Sequence, residues 1–345
     1  MRGKKYLSSI FFGILLMLFS GYVLLDTFLI PRAYERVSDA ESGVKADKET
    51  EENDDAKKSE ISGETEPDRE EGTEEKTEVD SGEKSFEISD SSETDAVFAA
   101  GSLIGEYVEN GTEIHLYEFR YLDTNVYVAD VKAKSADVLK TALAQDIYGK
   151  NVTDKTSSIA EEHGAILAIN GDFYGTRERG YVIRNGVLYR SESAGSDQED
   201  LVISKDGTFE IRKEDETSAE DLVKEGARQV FSFGPALVTD GEVSVSKGEE
   251  VGRAMASNPR TAIGQMGENH YLFVVSDGRT RDNAGLSLSE LADFMKDLKV
   301  KTAYNLDGGG SSTMYFKGEV INHPTTSGRG GSRERSVSDI VCIGG

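Results

Sequence analysis

The chain has 345 residues, enough for one large or two ordinary domains, with 64 acidic against 39 basic residues and a net charge of −25. That balance excludes nucleic acid as a partner, because phosphate backbones are bound by clustered Lys and Arg. The single cysteine, Cys342, excludes an intrachain disulfide, and in the apolar run DIVCIG it is expected to be a buried small hydrophobe.

In chain order, the first element is an apolar run of 19 residues, Leu7 to Leu25, that carries no charge and follows Arg2, Lys4 and Lys5. At a rise of about 1.5 Å per residue such a run matches a hydrocarbon core of roughly 30 Å. The expectation is an uncleaved anchor over residues 1–30 with a cytoplasmic tip, favoured over a cleaved signal peptide because no A-x-A site is evident. This places the chain in the cell membrane as a single-pass protein with its C-terminal domain extracellular. Residues 31–95 read as a disordered acidic linker: positions 41–90 hold 20 acidic and 7 basic residues, a net of −13, with few apolar side chains to offset the entropy of ordering.

From residue 96 to 345 the composition is mixed and regularly interrupted by turn signals. YVIRNGVLYR, LVISKDGTFEI, ALVTDGEVSV and MYFKGEVI each set Asn-Gly, Asp-Gly or Lys-Gly between alternating segments, the pattern of tight hairpins. Helices are expected at SADVLKTALAQDIYG, at TSSIAEEHG and at SLSELADFMKDLKV, where Ser287 and Glu290 form a capping box. The resulting fold class is α+β: a strand-rich, mixed and strongly curved sheet with flanking helices, preceded by one transmembrane helix and the acidic linker.

Three apolar segments end in Asp beside Gly. ILAIN runs into Gly171, Asp172 and Phe173; YLFVVS runs into Asp277, Gly278 and Arg279; TAYNL runs into Asp307 and Gly308, Gly309 and Gly310. Loops at strand ends commonly display function, so the three point to one shared pocket. The stretch DGGGSS, closing with Ser311 and Ser312, matches neither a Walker loop nor a hydrolase nucleophile elbow. Consecutive glycines let backbone N–H groups converge on an anion, or simply allow a sharp turn. Arg260, opening the strand-like NPRTAIG, is suited either to a bidentate anion contact or to a structural Asp. Arg329, Arg333 and Arg335 add positive charge before the last strand. His115, His163, His270 and His323 are isolated in the sequence and form no metal motif. No cofactor is expected, although three carboxylates in one pocket need neutralising, by a divalent cation or by Arg260 or Arg279.

Together AINGDFYG, NPRTAIG, SDGR, NLDGGGSS and RSVSDIVCI resemble, in order and spacing over about residues 161–343, the phosphodiester glycosidase family. This is the family of the enzyme that uncovers mannose 6-phosphate, and bacterial relatives are often labelled exopolysaccharide-biosynthesis proteins. The resemblance implies hydrolysis of a sugar-1-phosphodiester, of the N-acetylglucosamine-1-phospho type, at the anomeric C–O bond. The partner would be a phosphodiester-linked glycan or glycopolymer at the cell surface. Carried over by position, Asp307, Asp277 and Asp172 are catalytic candidates. Asn170, Arg260, Thr261, Gly278, Arg279, Asn305, Gly308 to Ser312 and Arg335 are candidates for binding the substrate and its phosphate. Asp172 departs from the uncovering enzyme, which has glycine there, and the cysteines of the animal relatives are absent. The rival reading from the residues is a non-catalytic surface module that binds anionic polysaccharide through the same pocket.

Overall fold

The computed structural model describes residues 4–34, 97–246, 257–326 and 331–344. The acidic segment 35–95 and Arg329 lie outside the described residues.

Every strand pair described is antiparallel, and the strands form four sheets. The largest has eight strands in the order β14 (Glu242–Val243), β13 (Ala236–Thr239), β17 (Thr302–Asn305), β15 (Arg260–Gly267), β16 (His270–Ser276), β4 (Thr124–Ala133), β3 (Thr112–Tyr121) and β2 (Ser102–Glu109). One five-stranded sheet runs β19 (Glu319–Val320), β18 (Met314–Phe316), β7 (Ala165–Asn170), β20 (Asp339–Gly344) and β5 (Leu139–Leu143). The other runs β11 (Phe209–Lys213), β10 (Glu199–Ser204), β12 (Ala227–Phe231), β8 (Val182–Arg184) and β9 (Val187–Arg190). A two-stranded ribbon joins β1 (Arg32–Ala33) to β6 (Gly149–Lys150).

The pleat explains the layering. Along β4 and β16, Tyr127, Ala129, Val131, Phe273 and Val275 point into one apolar cluster, and Val126, Val128, Leu272 and Val274 into a second. The first cluster is shared with Leu167, Ile169, Leu201, Phe231 and Val341, so the eight-stranded sheet packs face to face on the two smaller sheets. The second is covered by helix α4 (Leu288–Asp297), which begins at the anticipated capping box. Helices α2 (Thr156–Glu162) and α3 (Ala219–Glu225) cover the outer faces of the smaller sheets through Ile159 and Ala160 and through Ala219 and Leu222.

The expected single, mixed, strongly curved sheet is therefore corrected. Face-to-face packing with helices on the outer sides buries the central strands, so no sheet has to curl on itself to hide them, and the edge strand β2 stays largely exposed. The transmembrane helix is corrected as well. Helix α1 spans Lys4–Phe28, but among the described residues no helix is long and apolar enough to cross a membrane.

SADVLKTALAQDIYG is not a helix. It forms a single 3-10 turn over Ala136–Val138, then β5, then a second turn in which Gln145 and Asp146 take φ of 58° and 55°. Pairing of β5 with β20, which is distant in sequence, outweighs the helix propensity of its Leu and Ala residues. The hairpin signals at Asn185-Gly186, Asp240-Gly241 and Lys317-Gly318 all fold with positive φ at both positions. Cys342 is buried on β20, and burial pushes its thiol up to about 12.

Candidate active site

Register brings the three marked strand ends together. On β15, Ala262 pairs with Asn305 of β17 and Arg260 with Ser276 of β16. Asp307, two residues past Asn305, therefore lies level with Arg260, and the Leu306 N–H donates to the Thr261 carbonyl at 2.9 Å. Asp277 follows Ser276 one strand further on, so the two acids are separated by two strand spacings, roughly 10 Å of backbone. The second sheet joins at the same end, where the Asp307 N–H donates to the Gly171 carbonyl at 3.3 Å just past β7.

A buried amide clamps this junction. Asn170 Nδ2 donates to the Asp307 carbonyl at 2.6 Å, and Asn170 Oδ1 accepts from the Thr261 hydroxyl at 2.8 Å and from the Thr313 N–H at 3.3 Å. The end of β7 thus holds both the N–H and the carbonyl of Asp307, while β15 holds the neighbouring Leu306. Its side chain is reached by Arg335, whose Nη2 donates to Asp307 Oδ2 at 2.8 Å and whose Nε donates to the Ser311 hydroxyl at 2.9 Å. The Arg335 N–H also donates to the Gly310 carbonyl at 3.0 Å, and Nη2 lies 3.2 Å from the Gly308 carbonyl.

The glycine turn is shaped by its neighbours. Gly309 has φ of 65°, its N–H donates to the Pro259 carbonyl at 2.8 Å, and a Cβ there would lie 2.8 Å from Arg279 Nη2. Arg279 itself takes φ of 60°, with Nε donating to Asn258 Oδ1 at 3.1 Å. Burial first, and then the nearby Arg335 guanidinium, hold Arg279 below the usual arginine range, while Asp307 acts in the opposite direction. Gly278 admits close approach of the 258–259 backbone, since a Cβ would sit 2.6 Å from the Pro259 nitrogen. Arg260 is 3% exposed and its Nε donates to the Leu286 carbonyl at 2.8 Å.

Several candidates stand apart from Asp307. Asp172 is buried against Arg184, 2.9 Å from its Nη2, and accepts the Tyr174 N–H at 3.0 Å. Arg184 also holds Asp339 Oδ2 through Nε at 2.7 Å, so one buried guanidinium serves two carboxylates. Burial pushes the Asp339 carboxyl up to about 7; Arg184 opposes that rise, while Asp172 and Asp307 add to it. Asn305 turns its Nδ2 to the Gly234 carbonyl at 2.8 Å, and Ser312 is fully buried below the turn. Phe173, which follows Asp172, is exposed.

Sequence reasoning missed Arg184, Asp339 and His323. Asp339 lies inside RSVSDIVCI and Arg184 inside a hairpin motif, so both were in view as structural residues only. The four histidines, isolated in sequence, each meet a carboxylate: His115 with Glu106 and Glu113, His163 with Asp146, His270 with Asp130 and His323 with Asp277. Among the described residues no group of three or more His, Cys, Asp or Glu is arranged to hold a metal ion. Asp172, Asp277 and Asp307 are instead matched separately to Arg184, His323 and Arg335.

The model of the phosphodiester glycosidase family matches residues 163–344, more than half of the chain and every strand end described above. The chain belongs to the phosphodiester glycosidase family. Among its relatives, an uncharacterized SPbeta prophage-derived protein of Bacillus subtilis, YomE, is 29% identical over 65% of this chain and 36% of its own length. Mouse N-acetylglucosamine-1-phosphodiester alpha-N-acetylglucosaminidase is 29% identical over 52% of this chain and 38% of its own. The chain thus spans less than two fifths of either relative. The zebrafish counterpart of the mouse enzyme, solved as a catalytic domain auto-inhibited by its pro-peptide, shares the fold with a TM-score of 0.55 and 20% identity. That superposition covers 71% of this chain and 87% of the zebrafish domain.

Proposed function

We propose that this phosphodiester glycosidase family member hydrolyses a sugar-1-phosphodiester, of the N-acetylglucosamine-1-phospho type, at the anomeric C–O bond. The observation that carries the reading is the charge at the strand ends: Arg335 pairs with Asp307 at 2.8 Å, and Arg279 lies against the same glycine turn, where a Cβ on Gly309 would meet its Nη2 at 2.8 Å. Two guanidinium groups against one carboxylate leave a positive excess that a phosphodiester fits.

Asp307 Oδ2 is held by Arg335, which fixes the carboxylate plane and leaves Oδ1 to face the reacting carbon. Cleavage at that carbon passes through an oxocarbenium-like state that a carboxylate stabilises. The phosphate leaves with the bonding electron pair, and the guanidinium groups stabilise the charge it gains. Because the Gly309 N–H is committed to Pro259, the anion cradle reduces to Arg279, Arg335 and the Gly308 and Gly310 segments of the turn. The substrate class that suits this arrangement is a phosphodiester-linked glycan, either an anionic glycopolymer or its precursor.

The test is incubation of the full chain with an N-acetylglucosamine-1-phosphodiester in ¹⁸O-labelled water, with mass spectrometry of both products. Label in the released sugar is the expected result. Label in the phosphate would mean cleavage at phosphorus, and saturable binding without release would favour a non-catalytic polysaccharide-binding module.

A further inference from the structure

Asp277 is only 1% exposed, and a buried carboxylate needs partners for its charge. They come from one loop. The His323 N–H donates to Asp277 Oδ1 at 2.8 Å, the His323 ring places Nδ1 3.1 Å from Oδ2, and Asn322 Nδ2 lies 3.4 Å from Oδ1. This contact places a proton on Nδ1, because an unprotonated Nδ1 would set its lone pair against the carboxylate; in the neutral imidazole the lone pair is then on Nε2. The Tyr127 hydroxyl, 3.4 Å from Nδ1, completes the surroundings, and burial followed by Asp277 holds its phenol above the usual range. Glu118 stands behind Tyr127 on β3. Unlike Asp277, the imidazole is available, with 66% of its side-chain surface exposed.

The loop that carries His323 is fastened to the same structures that build the site. Asn322 Nδ2 donates to the Ser312 carbonyl at 2.9 Å, Thr325 donates to the Gly278 carbonyl at 2.8 Å, and the Arg333 N–H donates to the Pro324 carbonyl at 2.7 Å. Thr326 lies against Gly310, where a Cβ would approach its Cα to 3.0 Å. The exposed imidazole therefore sits on a loop whose neighbouring residues are tied to the end of the glycine turn and to Gly278, beside the strand end that leads into Arg279.

We propose that His323 is the catalytic base of this site and that Asp277 is the residue that positions it. The inference rests on the hydrolase reading above and adds the proton-transfer group that reading lacks. His323 Nε2 takes a proton from the attacking water as the water oxygen bonds to the anomeric carbon. The bond from that carbon to the phosphate oxygen breaks, and its electron pair leaves on the phosphomonoester. The imidazolium formed is balanced by the Asp277 carboxylate and returns its proton to solvent. Asp307 is thereby left to face the positive charge developing on the sugar.

The experiment compares wild type, H323A, H323Q and D277N by steady-state kinetics across pH, with added imidazole and with melting temperatures as a fold control. The expected result is a loss in kcat of at least about 100-fold in both His323 variants with KM little changed. Added imidazole should restore part of the H323A activity, the acid limb of the wild-type profile should vanish in H323Q, and D277N should lower kcat while its melting temperature stays within the range of the His323 variants. His323 variants within about threefold of wild type would overturn the proposal. So would a loss that imidazole does not restore and that leaves the shape of the pH profile intact. A wild type that releases no sugar overturns this inference together with the hydrolase reading, whereas an active wild type with active His323 variants overturns this inference alone.

Discussion

Arg335 meets three different acceptors from one guanidinium: the Asp307 carboxylate, the Ser311 hydroxyl and the Gly308 carbonyl. An ammonium is a point donor on a flexible stem and cannot reproduce that fork. Yet the Arg335 side chain is 40% exposed, and partly exposed ion pairs contribute little to stability. The two facts separate function from fold. Arg335→Lys should therefore lower kcat/KM by about 10- to 100-fold, the loss of one charge-assisted contact to the anion or carboxylate, while the melting temperature stays within about 1 °C. Kinetics and calorimetry on the same preparation check both halves, and a large fall in melting temperature with unchanged kinetics would make Arg335 a purely structural residue.

At the scale of elements, α4 packs its buried Leu288, Leu291, Ala292, Phe294 and Met295 on the outer face of the eight-stranded sheet. Its start is set by reciprocal bonds, Ser287 Oγ accepting the Glu290 N–H at 3.2 Å and Glu290 accepting the Ser287 N–H at 2.8 Å. Ser287→Ala removes one of the two and should cost about 1 kcal/mol. For a domain of this size that is a drop of about 2–4 °C in melting temperature. Scanning calorimetry reads it directly, and no drop would mean that burial alone holds the helix start. This element was legible because cap, period and amphipathic face all lie within a few neighbouring residues. The same holds for the hairpin turns and for the Asp-Gly strand ends that mark the site. What was not legible depends on partners far away in the chain: β5 is a strand only because β20 pairs with it, and Arg184 becomes a buried ion only because Asp172 and Asp339 close around it. His323 was hidden for the same reason, since its partner Asp277 is 46 residues away.

Across the whole molecule, two buried acids make stability depend on pH in an unusual direction. Asp200 is fully buried, and burial first, then the adjacent Glu214 carboxylate, raise its carboxyl well above the usual 3.8. Glu214 is itself anchored, accepting the Tyr181 N–H at 3.0 Å and the Ser232 hydroxyl at 2.9 Å, so it cannot turn away. Ser232 and Gln198 act in the opposite direction but are outweighed, so the fold holds the Asp200 carboxyl above its usual range beside a fixed carboxylate. Asp339, held up to about 7, acts in the same sense. A carboxyl whose folded value lies above its unfolded value binds protons more tightly in the native state, so stability falls as pH rises. For Asp339 the fall runs between the unfolded 3.8 and about 7 and levels off above that. The melting temperature should accordingly be higher at acid pH than at alkaline pH. Asp200→Asn keeps a neutral side chain of the same size, so it should match wild type at acid pH and exceed it at alkaline pH, flattening the profile. Melting temperatures of both proteins from acid to alkaline pH decide the matter: parallel curves would mean that burial and the Glu214 contact do not raise the Asp200 carboxyl in the folded protein.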